Sequence, residues 1–265
     1  MAAPAPAWRV ARLERLRGPA WALVPIGSIV LVVFAIRFVS DTATGLTYLA
    51  LVAVPPLAAA ALGWFMRGSR PWLAPVAIML FALAWATPKT LVGEGSAALL
   101  SALSCVTLGV LLSAVTPRGW LKAGILLMAA ADSWLVVSDL LQAPNATLVA
   151  AQPVAGLPRL QSEIFGSVSM GYGDLFVAGL LGAVLASERR RQLGGALLTF
   201  ALAGLFDLLF LVIDELPATV PVALALIFIE VWAWGAGSRR IPRPALVSAG
   251  RRPWRRADAT PRRAR

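Results

Sequence analysis

Histidine is absent from this sequence, and cysteine occurs only once, at Cys105. Zinc sites, disulfide frameworks and nucleophiles activated by histidine therefore lack the residues that form them. Charged residues are also scarce: they make up 14% of the 265 residues, whereas 59% are hydrophobic. Soluble domains contain about 25% charged residues. The composition indicates an integral membrane protein, in which aspartate remains as the residue type for hydrolytic chemistry.

The net charge of +11 resembles that of a nucleic-acid-binding protein. Most of this charge, however, is arginine in short loops between apolar runs and in the tail over residues 237–265. Such a placement is typical of the cytoplasmic loops of membrane proteins, and we therefore expect no nucleic-acid partner. The tail is expected to lie near anionic lipid headgroups.

The hydrophobic runs predict an all-α fold with about eight transmembrane helices, since about 20 apolar residues cross a bilayer. Residues 1–19 form a basic segment before the first helix, residues 20–236 form one transmembrane domain, and 237–265 form the tail. The predicted helices cover residues 21–39, 46–66, 72–87, 97–116, 120–141, 164–186, 194–213 and 218–235.

The charges in the connecting loops alternate between the two sides of the membrane. Because arginine and lysine concentrate on the cytoplasmic side, both termini are expected in the cytoplasm of a multi-pass cell-membrane protein. The basic side holds Arg9, Arg12, Arg15, Arg17, Arg67, Arg70, Arg118, Lys122, Arg189, Arg190, Arg191 and the tail, and the other side holds Asp41, Lys89, Glu94, Arg159, Glu163, Asp214 and Glu215.

Two carboxylates are predicted at the same depth in neighbouring helices. Asp132 lies about nine residues before the outer end of the fifth predicted helix, and Asp174 lies about as far after the outer end of the sixth. Asp139 would lie about 10 Å further out and is the weaker partner. Asp207, in the next helix, has a similar depth and remains open by this argument.

Two carboxyl groups at the same depth inside a membrane suggest a functional site, because a charged group is costly to bury there. Such a pair can share one proton, and the resulting acid and base can activate water against an amide carbonyl. A structural hydrogen-bonded pair or a proton relay is the alternative that the residues leave open.

Small residues and prolines surround these positions. Gly171 and Gly173 remove side chains where Asp174 must be approached. Pro217 and Pro221 lie at the start of the last predicted helix, where they indicate either an ordinary helix start or a backbone edge for an extended segment. An unwound substrate needs such an edge, because a helix hides its amide groups.

Three short motifs in this order resemble those of the presenilin and signal peptide peptidase family of aspartyl intramembrane proteases. They are Ala131-Asp132, then Gly171-Tyr172-Gly173-Asp174, then Pro217-Ala218-Thr219, and they match a Tyr-Asp, a Gly-x-Gly-Asp and a Pro-Ala-Leu motif. Alanine replaces the family's tyrosine and threonine replaces its leucine. The resemblance covers residues 120–236 and implies a presenilin-like arrangement of the last four helices.

By the resemblance, Asp132 and Asp174 are the catalytic pair. Gly171, Tyr172, Gly173, Pro217, Ala218 and Thr219 would position a transmembrane peptide substrate, with no metal or organic cofactor. The family has nine helices. Losing one N-terminal helix while moving the N-terminus inside leaves the catalytic helices oriented as in signal peptide peptidase, so substrates with a cytoplasmic N-terminus are expected.

Two other functions fit part of the pattern. Prepilin peptidases also use a Gly-x-Gly-Asp aspartate, but there it lies near the cytoplasmic face and is typically followed by lysine, whereas Leu175 follows Asp174 here. A proton-coupled transporter or channel could use the aspartates as a relay. Glu230, in the last predicted helix, is the residue that favours this reading.

Overall fold

The computed structural model describes residues 3–6, 13, 15–39, 41–138, 140, 142–165, 168–211 and 216–238. The tail from residue 239 onward therefore lies outside the described residues, as do Arg9, Arg12, Asp139, Asp214 and Glu215. Within the described part, the chain forms helices α1 (Val24–Phe38), α2 (Thr42–Ala60), α3 (Val76–Ala86), α4 (Leu91–Val115), α5 (Arg118–Val137), α6 (Gln142–Ala150), α7 (Tyr172–Val184), α8 (Arg189–Asp207) and α9 (Val220–Ser238), with strands β1 (Ser162–Phe165) and β2 (Val168–Gly171) between α6 and α7.

The architecture is helical and compatible with a membrane protein. Four helical segments in the described residues are long and apolar enough to cross a bilayer: Pro19–Phe38, Thr42–Phe65, Leu91–Val115 and Arg118–Val137. Large apolar side chains also lie on the outside of the molecule, among them Leu31, Val52, Ile78, Phe200 and Trp232. Apolar surface of this extent is typical of a protein that contacts lipid.

The prediction of eight helices is wrong, because nine α-helices form within the described residues. The additional helix is α6, which packs beside α1 and α2. It lies in the stretch between the fifth and sixth predicted helices, where no helix was predicted. Pro144 falls in the first turn of α6, where its missing N–H group removes no intrahelical hydrogen bond.

The predicted helix over residues 164–186 is also wrong in its first part. The chain there forms an antiparallel hairpin that pairs Ser162 with Gly171 and Phe165 with Val168. The helix α7 begins only at Tyr172. Short runs with β-branched residues on both sides of the dipeptide Gly166-Ser167 favour a hairpin over a helix.

Helix α4 is the centre of the packing. Its first turn is capped by Thr90, whose hydroxyl oxygen accepts a hydrogen bond from the backbone of Gly93 at 3.2 Å, and it ends before Pro117. Helices α2, α3 and α7 and strand β1 all pack against it. The hydroxyl of Thr107 donates to the carbonyl of Leu57 in α2 at 2.7 Å, which satisfies a buried polar group between the helices.

The N-terminal segment is part of the fold. Ala5 is fully buried, and the backbone of residues 3–5 bonds to that of Phe65 and Arg67 after α2. The side-chain amide of Gln192 in α8 donates to the carbonyls of Pro4 at 2.9 Å and Gly182 at 2.8 Å. Arg67 donates to the side-chain oxygen of Gln192 at 2.7 Å and also to the carbonyl of Ala186. These bonds join the ends of α2, α7 and α8.

Candidate active site

Helices α5, α7 and α9 pack around a shared apolar core. The side chains of this core are almost fully inaccessible, so the three helices have little freedom to slide or rotate against one another. The core includes Leu121, Ile125 and Met128 from α5, Val177, Leu180, Leu181 and Val184 from α7, and Val222, Ala225 and Leu226 from α9.

Asp132 is held by the residue just before α9. The hydroxyl of Thr219 donates to Oδ2 of Asp132 at 2.6 Å, and the backbone N–H of Thr219 lies 3.3 Å from the same oxygen. A distance of 2.6 Å is in the range of strong, charge-assisted O–H···O bonds, so the hydroxyl makes the stronger contact. Thr219 is only 2% exposed, which shields this bond from competing solvent.

Asp174 lies in the first turn of α7 and on the helix that packs against α5. Its Oδ2 accepts a hydrogen bond from the backbone N–H of Gly171 at 3.1 Å, which caps the helix. The two aspartates are near enough for the charge of Asp132 to act on the carboxyl group of Asp174. The structure therefore brings Asp132, Thr219 and Asp174 into one neighbourhood.

A second contact fixes the depth of this neighbourhood. The hydroxyls of Tyr172 and Ser104 share a hydrogen bond of 2.7 Å, and Ser104 lies close to the middle of α4. Since α4 has 25 residues and a length of about 37 Å, the first turn of α7 begins near the midpoint of a helix that is long enough to cross a bilayer. Asp174 follows Tyr172 by two residues and lies at a similar level.

The two glycines of the motif have different surroundings. A Cβ atom at Gly171 would lie 3.2 Å from Oδ2 of Asp174, so a side chain there would crowd the carboxylate. A Cβ atom at Gly173 would meet no atom within 4 Å. Gly171 is thus explained by contact with Asp174. Gly173 leaves open space beside it.

Pro217 and Ala218 form the turn that leads into α9. The carbonyl of Pro217 accepts a hydrogen bond from the backbone N–H of Val220 at 3.2 Å. Ala218 is exposed, whereas Thr219 points inward to Asp132. Of the three residues predicted to position substrate here, Thr219 contacts an aspartate directly. The sequence motif had leucine as its expected residue and gave no sign of this bond.

The remaining carboxylates take other places. Asp207 is exposed at the end of α8, and Asp139 lies outside the described residues. Glu230 forms an ion pair with Lys122, with 2.6 Å between the side-chain nitrogen and oxygen. This pair joins α9 to α5 about 15 Å along the helices from the contact between Thr219 and Asp132. From the sequence, Glu230 favoured only the transporter alternative, whereas the structure places it in an ion pair between two helices.

Comparison of this chain with protein-family models, with curated proteins and with solved structures finds no match. A proposal for its function therefore rests on the geometry of the site and on the three short motifs.

Reversal of the charge at Glu230 should weaken the pairing of α5 and α9. In Glu230→Lys, two ammonium groups face each other, and we expect the melting temperature to fall by about 3 °C. The double variant Lys122→Glu with Glu230→Lys restores opposite charges and should recover most of this loss. Thermal unfolding in detergent measures both values. A double variant that melts no higher than Glu230→Lys alone contradicts the ion pair.

Proposed function

We propose that this protein is an intramembrane aspartyl protease that hydrolyses peptide bonds within transmembrane segments. The observation that carries the proposal is the meeting of Asp132, Thr219 and Asp174 on packed helices near the middle of α4. These residues come from the three motifs that resemble the presenilin and signal peptide peptidase family. A chance resemblance of separated motifs would not require them to converge in space.

The proposed reaction needs only the two carboxyl groups and water. One carboxylate takes a proton from the water, whose oxygen attacks the carbonyl carbon of the substrate amide. The other carboxyl group gives its proton to the carbonyl oxygen, and a tetrahedral diol forms. Transfer of a proton to the amide nitrogen then breaks the C–N bond and releases an amine and a carboxylic acid. Thr219 holds Asp132 in position through these steps.

Strand β2 supports the proposal, because it runs directly into the first turn of α7. One edge of β2 pairs with β1, and within the described residues no strand pairs with the other edge. An extended peptide can add to such an edge through backbone hydrogen bonds. This arrangement would deliver an unwound substrate to Asp174 and past the open space at Gly173.

The orientation of the catalytic helices sets the class of substrate. With both termini in the cytoplasm, α5 runs outward and α7 inward, as in signal peptide peptidase. The substrates would then be membrane segments with a cytoplasmic N-terminus, such as remnant signal peptides. Anionic lipids around the Arg-rich tail would be further partners of the chain.

The two alternatives make different demands on the chain. A prepilin-peptidase-like enzyme would place its aspartate near the cytoplasmic face rather than near the middle of α4. A proton-coupled transporter would need further polar groups along a path. Glu230, the carboxylate that favoured this alternative, is engaged by Lys122. The observations therefore favour the protease.

Cleavage of fluorescent transmembrane peptides in both orientations, by purified protein in lipid vesicles, tests the proposal. We expect cleavage of peptides with their N-terminus on the cytoplasmic side of the enzyme, with products identified by mass spectrometry. Cleavage restricted to the opposite orientation would overturn the substrate class. Absence of cleavage together with pH-driven uptake in the same vesicles would overturn the protease in favour of transport.

Replacement of Thr219 by valine should lower the turnover number about 10- to 100-fold, since hydrogen bonds to charged groups contribute about 1.5–3 kcal/mol. Valine keeps the shape of threonine but lacks the hydroxyl that binds Asp132. The matched variant Thr219→Ser keeps the hydroxyl and should retain activity within about threefold of the wild type. The pH profile of cleavage should shift in the valine variant alone. A loss in Thr219→Ser with full activity in Thr219→Val would show that the methyl group, and not the hydroxyl, matters.

A further inference from the structure

A groove of about 730 Å³ lies between α8 and α9, away from the aspartates. Its walls are largely apolar and include Leu198 and Leu202 from α8 and Phe228 and Trp232 from α9. Arg190 and Arg191 lie at one end. The groove thus combines a cationic end with apolar walls. It is complementary to a molecule with an anionic headgroup and a hydrocarbon chain.

The arginines differ in their availability. Arg191 forms an ion pair with Glu188, with Nε 2.8 Å from the carboxylate. Arg190 is exposed, and no carboxylate lies within ion-pair distance of it in the part of the chain that the structure describes. Its guanidinium group can therefore bind a phosphate through two parallel N–H···O bonds.

The length of the groove matches one leaflet of a bilayer. From Arg190 to Leu202, α8 rises about 18 Å, and half of a bilayer's hydrocarbon core is about 15 Å thick. Trp232 lies near the cationic end, where tryptophan is favoured at the level of lipid headgroups. A chain that starts at the arginines would reach the middle of the membrane.

A glycine makes room for this chain. Gly194 lines the groove, and a Cβ atom there would meet no atom within 4 Å. A side chain at this position would therefore begin in open space beside the groove. From these observations we propose that the groove between α8 and α9 binds an anionic phospholipid, with its phosphate on Arg190 and one acyl chain along Leu198 and Leu202. This site goes beyond the proposed protease activity and does not depend on it.

Native mass spectrometry tests the site. It measures the binding of phosphatidylglycerol to the purified full-length protein in nonionic detergent. We expect Arg190→Gln to weaken binding about tenfold, because it removes a charge-assisted contact. The matched control is Arg189→Gln, which removes the same charge from the neighbouring residue, outside the groove; its effect should be about twofold or less.

A bulky side chain in the groove tests whether its apolar part binds an acyl chain. Gly194→Trp should also weaken binding about tenfold or more, since the acyl chain loses its place. Its control is Gly204→Trp, at another helical glycine of α8 that has open space and lies outside the groove. This control should bind phosphatidylglycerol as the wild type does.

Three results would overturn the site. Equal losses in the variants at Arg189 and Arg190 would mean a diffuse attraction to negative charge. Binding of phosphatidylcholine as tight as that of phosphatidylglycerol would remove the role of the anionic headgroup. A dimer that Gly194→Trp dissociates would assign the groove to contact between two copies of the chain.

Discussion

Asparagine in place of either Asp132 or Asp174 is expected to lower peptide cleavage at least about 1000-fold, because each carboxyl group has an indispensable part in proton transfer. Asparagine keeps an oxygen that can accept the hydrogen bond from Thr219 or from Gly171. The local structure should therefore survive the change. The cleavage rate and the melting temperature are measured for each reconstituted variant. Together they distinguish a loss of catalysis from a loss of folding.

The matched control for this pair is Asp207→Asn. Asp207 is an exposed carboxylate at the end of α8, and the same substitution there should leave the rate within about twofold of the wild type. The double variant of Asp132 and Asp174 should be no slower than either single variant, because the two groups act as one unit. Cleavage that survives in one aspartate variant would mean that another carboxylate, such as Asp139, is the partner.

The proximity of Asp132 and Asp174 could be predicted from the sequence, although the predicted position of Asp174 within its helix was wrong. The prediction placed Asp174 deep inside a long helix, whereas it lies in the first turn of α7, after a hairpin. It remains level with Asp132 because Asp132 in turn lies near the end of α5, only five residues before Val137. Both helices are shorter than predicted on the same side, so the errors cancel.

The hairpin left a signal in the sequence that hydropathy obscured. Two short runs around Gly166-Ser167 have the spacing of a two-residue hairpin. A hydropathy window averages over about 20 residues and cannot separate two four-residue strands from a helix. The formation of β1 and β2 therefore depends on packing, because β1 lies against α4 and pairs with β2.

Contacts between side chains on different helices could not be predicted from the sequence, for a different reason. The bond between Thr219 and Asp132 joins residues 87 positions apart, and the pair of Lys122 and Glu230 is more distant still in the chain. No local propensity or periodicity specifies which faces of α5 and α9 meet. Only the packing of the shared core of α5, α7 and α9 brings these side chains together.

Alanine in place of Gly179 is expected to destabilise the protein by about 2–3 kcal/mol, the cost of overpacking a tight contact. A Cβ atom at Gly179 would lie 2.8 Å from the carbonyl oxygen of Cys105, and one at Gly109 would lie 2.8 Å from that of Gly179. Both obstacles are backbone atoms, so no side chain can turn away. Helices α4 and α7 must separate to admit the methyl group, as in close contacts of membrane helices built on small residues.

The matched control carries the same chemical change with the opposite expected sign. At Gly204 of α8 a Cβ atom would meet no atom within 4 Å. Gly204→Ala should therefore stabilise the protein by about 0.5–1 kcal/mol, because alanine loses less backbone entropy than glycine in a helix. Denaturant titration in mixed micelles measures both changes. Similar effects of Gly179→Ala and Gly204→Ala would contradict the close contact.

The double variant of Gly109→Ala with Gly179→Ala gives a sharper result. Once one methyl group has moved α7 away from α4, the second enters a gap that already exists, so the pair should cost clearly less than the sum of the single changes. The same displacement moves the first turn of α7, and with it Asp174, relative to Asp132. Peptide cleavage should then fall in both single variants in proportion to the separation of the helices, while stability alone changes in Gly204→Ala.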